Sequence, residues 1–88
     1  MDVIDDKIKN WRKLIENDSS EYWIICVSDQ YSEEVKSKFM EKGCTLADSY
    51  KLPGEQAFHF YENKEVLISL LRLQGIIDIY PDPPVQLI

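Results

Sequence analysis

The sequence predicts an α+β domain in which helices cover one face of a four-stranded antiparallel sheet. Two observations support this prediction. Hydrophobic patterns typical of helices and strands alternate along the 88 residues, in the order helix, strand, helix, strand, strand, helix, strand. The turn signals Gly43, Pro53-Gly54 and Gly75 fall between these segments. A chain of this length can bury a single modest core, so one domain is expected.

Residues 1–20 are predicted to form an amphipathic helix followed by a short linker. Apolar side chains recur at helical spacing between residues 2 and 16, and charged side chains of both signs occupy the other side. A polar face of mixed charge favours packing on the chain's own domain over binding to a membrane surface. The apolar positions are Ile4, Ile8, Trp11, Leu14 and Ile15.

Residues 21–88 are predicted to contain the sheet and two further helices. Residues 22–27 are apolar at every position, which is typical of a strand covered on both faces. A helix is expected over residues 33–42, with Ser32 as its N-cap and Gly43 as its left-handed stop. Its inner face is marked by Val35 and Phe39.

The second and third strands, residues 45–52 and 56–61, are predicted to pair as an antiparallel hairpin around a proline-glycine turn. Asn63 is expected to cap the last helix, which stops at Gly75 before a fourth strand over residues 76–80. This order is the split βαβ, or ferredoxin-like βαββαβ, arrangement, with two helices on one face of the sheet. The other face needs an occupant, either the N-terminal helix or a partner protein.

Charge and composition argue against several classes of partner. The net charge of −6 repels phosphate backbones, and the basic residues are scattered among acids, so a nucleic-acid partner is not expected. No apolar run approaches the roughly 20 residues that a bilayer requires, so a membrane partner is not expected either. The first residues lack the features of a secretory signal, which predicts a cytoplasmic protein. A neutral or basic protein surface is the favoured partner.

No catalytic, metal or cofactor site is expected. Cys26 and Cys44, together with one histidine, offer no zinc-ligand spacing, and both are predicted to be free buried thiols. His59 lies in an aromatic strand without a nearby serine or cysteine motif, which favours a structural or surface role. The sequence therefore predicts that the chain is not an enzyme.

The C-terminal tail, residues 83–88, forms the main candidate binding segment. Pro81, Pro83 and Pro84 cannot donate backbone hydrogen bonds, so the chain must leave the sheet there. The residues that follow, 85–88, are uncharged and largely apolar, and such a segment favours a partner that receives it in extended form. Two interpretations of the prolines stay open, because they either stiffen a binding tail or simply end an edge strand.

A resemblance to a known family rests on the order and lengths of several stretches. They are Tyr22-Trp23-Ile24-Ile25-Cys26-Val27, Ser32-Glu33-Glu34-Val35 with the helix end Lys42-Gly43, Tyr50, Gln56-Ala57-Phe58, and Gly75-Ile76-Ile77-Asp78-Ile79-Tyr80-Pro81-Asp82. Together they resemble the inhibitor I9 family, the propeptides of subtilisin-like serine proteases and the small free-standing inhibitors related to them. The additional N-terminal helix departs from the family pattern.

The resemblance implies an inhibitor of a subtilisin-type serine protease. In that family the open sheet face packs on two surface helices of the protease, and the C-terminal tail enters the substrate cleft. Ile88 would then fill the first specificity pocket, and Asp82 would cap the protease helices, while Tyr80 replaces a second acid of that contact. The implied protease-binding residues are Tyr80, Asp82, Val85, Gln86, Leu87 and Ile88.

Other interpretations remain open at this point. The chain could be a free-standing inhibitor or an inhibitory, chaperone-like propeptide. It could also be a non-catalytic ferredoxin-like interaction or regulatory module that forms a homodimer or binds a partner through its open sheet face. A carboxylate-binding domain such as PDZ could capture residues 85–88. Because a helix on the open face would obstruct a protease, removal of residues 1–20 is expected to leave inhibition equal or stronger.

Overall fold

The computed structural model describes residues 3–61 and 64–81, with only the backbone described for residues 3 and 4. Its elements are α1 (Val3–Asn17), β1 (Tyr22–Ser28), a 3₁₀ turn (Asp29–Tyr31), α2 (Ser32–Glu41), β2 (Thr45–Leu52), β3 (Glu55–Tyr61), α3 (Lys64–Ser69) and β4 (Ile76–Pro81). All four strands form one antiparallel sheet in the order β2-β3-β1-β4. The predicted α+β class and the four-stranded antiparallel sheet are therefore confirmed.

The central strand β1 pairs with β3 on one side and β4 on the other. Ile25 lies opposite both Phe58 and Ile79, which fixes the register across the middle of the sheet. The predicted β2–β3 hairpin is also present, with Leu52 opposite Glu55 across a two-residue loop. Proline followed by a glycine at a φ of 78° fits a type II turn.

The register divides the strand side chains into two faces, and the face covered by helices is called the helix side. Trp23, Ile25 and Val27 point to the helix side and are fully buried. On the opposite face Cys26 is buried, but Tyr22 is 41% exposed. The prediction that both faces of β1 are covered is therefore not confirmed over the described residues, because the second face is buried at Cys26 and half-buried at Ile24 but exposed at Tyr22.

All three helices contribute to one core on the helix side. Phe39 of α2 stacks on Phe60 of β3 with 5.1 Å between the ring centroids. Trp11 and Ile15 of α1 belong to the same buried cluster, as does Leu67 of α3. The N-terminal helix therefore packs beside the other two helices, and none of the described helices lies across the opposite face of the sheet.

The position of α1 corrects one expectation. Ile15 is fully buried and Trp11 is 9% exposed, so deletion of residues 1–20 would remove two core side chains. It would also remove Asp5, whose carboxylate accepts a hydrogen bond from Arg72 at 3.0 Å. We therefore expect this truncation to destabilise the domain, and it cannot serve as a neutral test of inhibition.

The beginning of α2 differs from the prediction. Ser32 is the first residue of the helix and is buried, whereas Tyr31 occupies the N-cap position without a capping side-chain hydrogen bond. The Ser32 hydroxyl instead donates to the carbonyl of Asp29 in the preceding 3₁₀ turn, at 2.9 Å. The predicted stop at Gly43 is confirmed, since its φ is 95° and its N–H donates to the Met40 carbonyl.

The last helix is shorter than predicted. It ends at Ser69, and the chain continues in tight turns, in which Leu73 N–H donates to the Leu70 carbonyl at 3.2 Å. Apolar side chains recur every three residues in such turns, as they do in a helix, so the hydrophobic pattern did not show where the helix ends. The predicted cap Asn63 lies outside the described residues.

Gly75 has a different role from the predicted helix stop. Its φ is 101°, and a Cβ at this position would lie 2.4 Å from the Cβ of Tyr31. Its carbonyl accepts a hydrogen bond from Ser28 N–H at 2.9 Å. Gly75 therefore permits the close approach of the β4 entrance to the end of β1 and the 3₁₀ turn.

Gly75→Ala is expected to destabilise the protein more than Gly43→Ala. Both glycines have positive φ, which costs an L-residue about 1–2 kcal/mol. Only Gly75 adds a clash with Tyr31, because a Cβ at Gly43 would meet no atom within 4 Å. Urea unfolding measures both variants, and equal losses would contradict the inferred close approach.

Ile15→Ala is expected to lower the free energy of unfolding by about 2–4 kcal/mol, because it removes a fully buried side chain. Leu14→Ala is the matched control on the same helix, since Leu14 is 38% exposed and loses less buried surface. Chemical denaturation compares the two. Similar small losses would show that α1 does not belong to the core.

Candidate functional site

The sheet face opposite the helices is the candidate site, and we call it the open face. Ile24 of the central strand lies between His59 and Tyr80, and all three side chains point away from the helices. Alternation along each strand identifies the rest. The open face consists of Tyr22, Ile24, Cys26 and Ser28 of β1, Thr45, Asp48, Tyr50 and Leu52 of β2, Glu55, Ala57, His59 and Tyr61 of β3, and Asp78 and Tyr80 of β4.

Tyrosine side chains dominate this face. Tyr22, Tyr50, Tyr61 and Tyr80 are each between 41% and 49% exposed. The Tyr22 ring lies 5.2 Å from the Tyr61 ring and 5.3 Å from the His59 ring. Tyrosine combines a large apolar ring with a polar hydroxyl and is enriched at protein–protein interfaces. The composition of the face is therefore that of a surface suited to contact another protein.

Two small residues form the floor between these rings. Cys26 and Ala57 lie opposite each other in the register and are 6% and 4% exposed. The Cys26 thiol lies 3.8 Å from the Tyr80 hydroxyl and donates to it. This contact connects the floor to the side chain at the end of β4.

The charged strand residues of the open face are of one sign, while Lys7 of α1 lines a pocket with Asp78 at the β4 edge. Asp48, Glu55 and Asp78 are on this face, and no residue of the four strands that points in this direction is lysine or arginine. Lys51 is the basic residue of the described strands, but by alternation it points to the helix side. Its ammonium nitrogen lies 2.7 Å from a carboxylate oxygen of Asp29. The open face therefore presents aromatic rings and carboxylates together.

The Cys26–Tyr80 pair stays neutral at ordinary pH. Burial raises the pKa of the Cys26 thiol above its usual value, although the hydrogen bond to Tyr80 opposes this. Burial also raises the pKa of the Tyr80 hydroxyl, and the contact with Cys26 adds to that effect. Both cysteines are buried thiols, as predicted, and because the Cys26 thiol resists ionisation it is a poor nucleophile.

Of the six residues predicted to bind a protease, Tyr80 lies within the described part of the chain and is on the open face. Asp82, Val85, Gln86, Leu87 and Ile88 lie outside the described residues. Sequence reasoning did not identify Tyr22 and Tyr61 as members of the site. For Tyr61, the alternation of side chains along β3 could have identified it. Tyr61 is an odd number of residues from both Phe58 and Phe60, so it must point to the face opposite theirs.

A separate cavity lies between α1 and the connection from α3 to β4. It has a volume of about 370 Å³. Ile8, Trp11 and Leu73 give it an apolar lining, and Lys7 and Arg72 also line it.

Within residues 3–61 and 64–81, no helix combines the length and apolar character needed to cross a membrane. The same residues contain no cluster of three His, Cys, Asp or Glu side chains placed to hold a metal ion.

The chain matches no family model, no curated protein and no solved structure. The likeness to the inhibitor I9 family therefore depends on the residues of the chain itself.

The raised pKa of Cys26 predicts a loss of stability at alkaline pH. Below the usual value of 9.0 the thiol is neutral in both folded and unfolded chains, so its contribution is fully present. As the pH rises, the unfolded chain ionises first and unfolding becomes more favourable. The free energy of unfolding should therefore fall more steeply towards about pH 10 in the wild type than in Cys26→Ala. Parallel declines in urea unfolding experiments would contradict this assignment.

Proposed function

We propose that this protein is an inhibitor of a subtilisin-type serine protease. A ferredoxin-like domain docks on the protease through the open face, and residues 85–88 enter the substrate cleft. The observation that carries the proposal is the tyrosine-rich open face, which no described helix covers and which continues to Tyr80 at the end of the strand that leads into the C-terminal segment. The resemblance to inhibitor I9 proteins supplies the identity of the partner.

The topology supports the ferredoxin-like part of this proposal. The order β2-β3-β1-β4 places β1 and β3 in the centre, and α2 and α3 both contribute to the core on the helix side. This is the arrangement expected of a split βαβ unit. The helix α1 is an addition whose buried side chains join the core on the helix side, and it approaches the open face only at the β4 edge, where Lys7 lines a pocket with Asp78.

The position of the strand end supports a two-point attachment. Pro81 lies opposite Trp23 of the central strand, and Tyr80 lies opposite Ile24 on the open face. Residues 82–88 can span at most about 25 Å from that point. A partner held on the open face would therefore have residues 85–88 within reach of its own surface.

Attachment at two points explains how a peptide segment can inhibit a protease. A free peptide would bind, be cleaved and dissociate, whereas a segment anchored by a folded domain stays at a high effective concentration. Pro83 and Pro84 lower the entropy lost when the segment becomes ordered. Asp82 would cap protease helices, and Tyr80 would contribute a ring contact where the family usually has an acid.

Homodimerisation through the open face is less well supported. Two copies packed on this face would bring Asp48, Glu55 and Asp78 of each chain close to the same carboxylates of the other. Like charges in a desolvated interface are unfavourable. A partner of neutral or positive surface charge avoids this cost.

The proposal predicts that the intact chain slows hydrolysis of a chromogenic peptide by subtilisin. A variant in which residues 85–88 are replaced by alternating glycine and serine should inhibit about 100-fold more weakly, because only the docking contact remains. This replacement keeps residues 3–81, and therefore all of the described core, so circular dichroism should show an unchanged fold.

Two results would contradict the proposal. If the intact chain leaves the hydrolysis rate unchanged, the inhibitor function is wrong. If the replacement variant inhibits as strongly as the intact chain, the C-terminal segment does not enter the cleft. Sedimentation of the free protein provides a control for the alternative, because a dimerising module would sediment as a dimer without any protease.

A further inference from the structure

We infer that the open face recognises a partner surface that carries arginine or lysine side chains, which lie against the tyrosine rings and between the carboxylates. This inference deepens the proposed function and rests on it for the identity of the partner as a protease. The chemistry of recognition comes from this chain's own residues.

The first argument is the arrangement of charge. Asp78 lies opposite Cys26, Asp48 lies opposite His59, and Glu55 lies opposite Ser28, so the carboxylates are spread over three strands of the face. Lysine and arginine are absent from the strand positions that share this direction, and at the β4 edge Lys7 of α1 lines a pocket with Asp78 alone of the three. Burial is the main reason why the pKa of the Cys26 thiol is raised, and the negative charges of Glu55 and Asp78 add to it, so both carboxylates act at the centre of the face. A cation placed over this face is attracted from several sides.

The second argument is the presentation of the rings. Tyr22 and Tyr61 contact each other at a tilt of 59°, and each keeps more than two fifths of its surface exposed. Ring faces attract cations, and arginine can stack on a ring while it donates two hydrogen bonds to a carboxylate. A face that combines rings and carboxylates is therefore more complementary to a guanidinium group than to a purely apolar group.

The same charges disfavour the other occupants of an uncovered sheet face. A second copy of the chain would present carboxylates to carboxylates. Nucleic acids and anionic lipid surfaces carry the same sign as the face and would be repelled. A basic protein surface remains as the occupant with complementary chemistry.

A pair of helical peptides tests this inference without using a protease. One is an alanine-based helix with arginines spaced four residues apart, and its matched control carries citrulline, the neutral isostere of arginine, at the same positions. Only the arginine peptide should bind. Its ¹H–¹⁵N chemical-shift changes should map to Ile24, Ala57 and their neighbours, and affinity should fall as salt is added.

Charge variants of the protein provide the second measurement. Asp48→Asn and Asp78→Asn should each weaken binding of the arginine peptide about threefold. Glu34→Gln removes the same charge from α2, away from the open face, and should leave binding unchanged. Binding of the citrulline peptide with equal affinity, or shift changes confined to the helices, would overturn the inference.

The outcomes separate this inference from the proposed function. If the arginine peptide binds the open face but the chain does not inhibit subtilisin, the recognition chemistry stands and the inhibitor function fails. If inhibition is strong and unaffected by Asp48→Asn, Asp78→Asn or added salt, and the arginine peptide does not bind, the inhibitor function stands and the inferred chemistry fails.

Discussion

Packing of the central strand against the helices is the constraint on which the rest of the structure depends. Trp23, Ile25 and Val27 are fully buried on the helix side, and they alternate with residues that must then point the other way. The burial of these three side chains therefore also determines which residues form the opposite face. Because Tyr22, Ile24 and Cys26 are themselves apolar or aromatic, the uncovered face of the sheet acquires the composition of a protein-binding surface.

The helix side must accommodate α1 as well as α2 and α3, and this explains several local features. Ile15 and Trp11 complete the core beside Leu71, where the chain turns tightly instead of continuing α3. Those turns lead to Gly75, whose lack of a side chain permits close approach to Tyr31. The route into β4, and therefore the position of Tyr80 on the open face, depends on this contact.

Local sequence patterns predicted the elements that depend on local physics. The β2–β3 hairpin followed from the turn residues between its strands, and the end of α2 followed from Gly43. Ser32 was misassigned because a 3₁₀ turn precedes the helix and takes its hydroxyl as a donor. The end of α3 was missed because turns and helices share similar hydrophobic spacing.

The features that depend on tertiary structure could not be predicted in the same way. An apolar run such as β1 does not reveal whether its second face meets a helix or solvent, and an amphipathic helix such as α1 does not reveal which side of the sheet it covers. Tyr80 was named as a protease-binding residue because the resemblance to the inhibitor I9 family implied it, at the position of a second acid. Tyr22 and Tyr61 join it only once the register brings three strands together.

Two features of the open face act together in the recognition that we propose. Cys26 and Tyr80 titrate above their usual pKa values, so the floor of the face stays uncharged at neutral pH. The carboxylates of Asp48, Glu55 and Asp78 then make the charge of the face negative, while the tyrosine rings provide its contact area. In the proposed complex, affinity and selectivity would come from different residues. The tyrosine rings would supply contact area for apolar groups of the partner, and the acidic side chains would favour partners of positive charge.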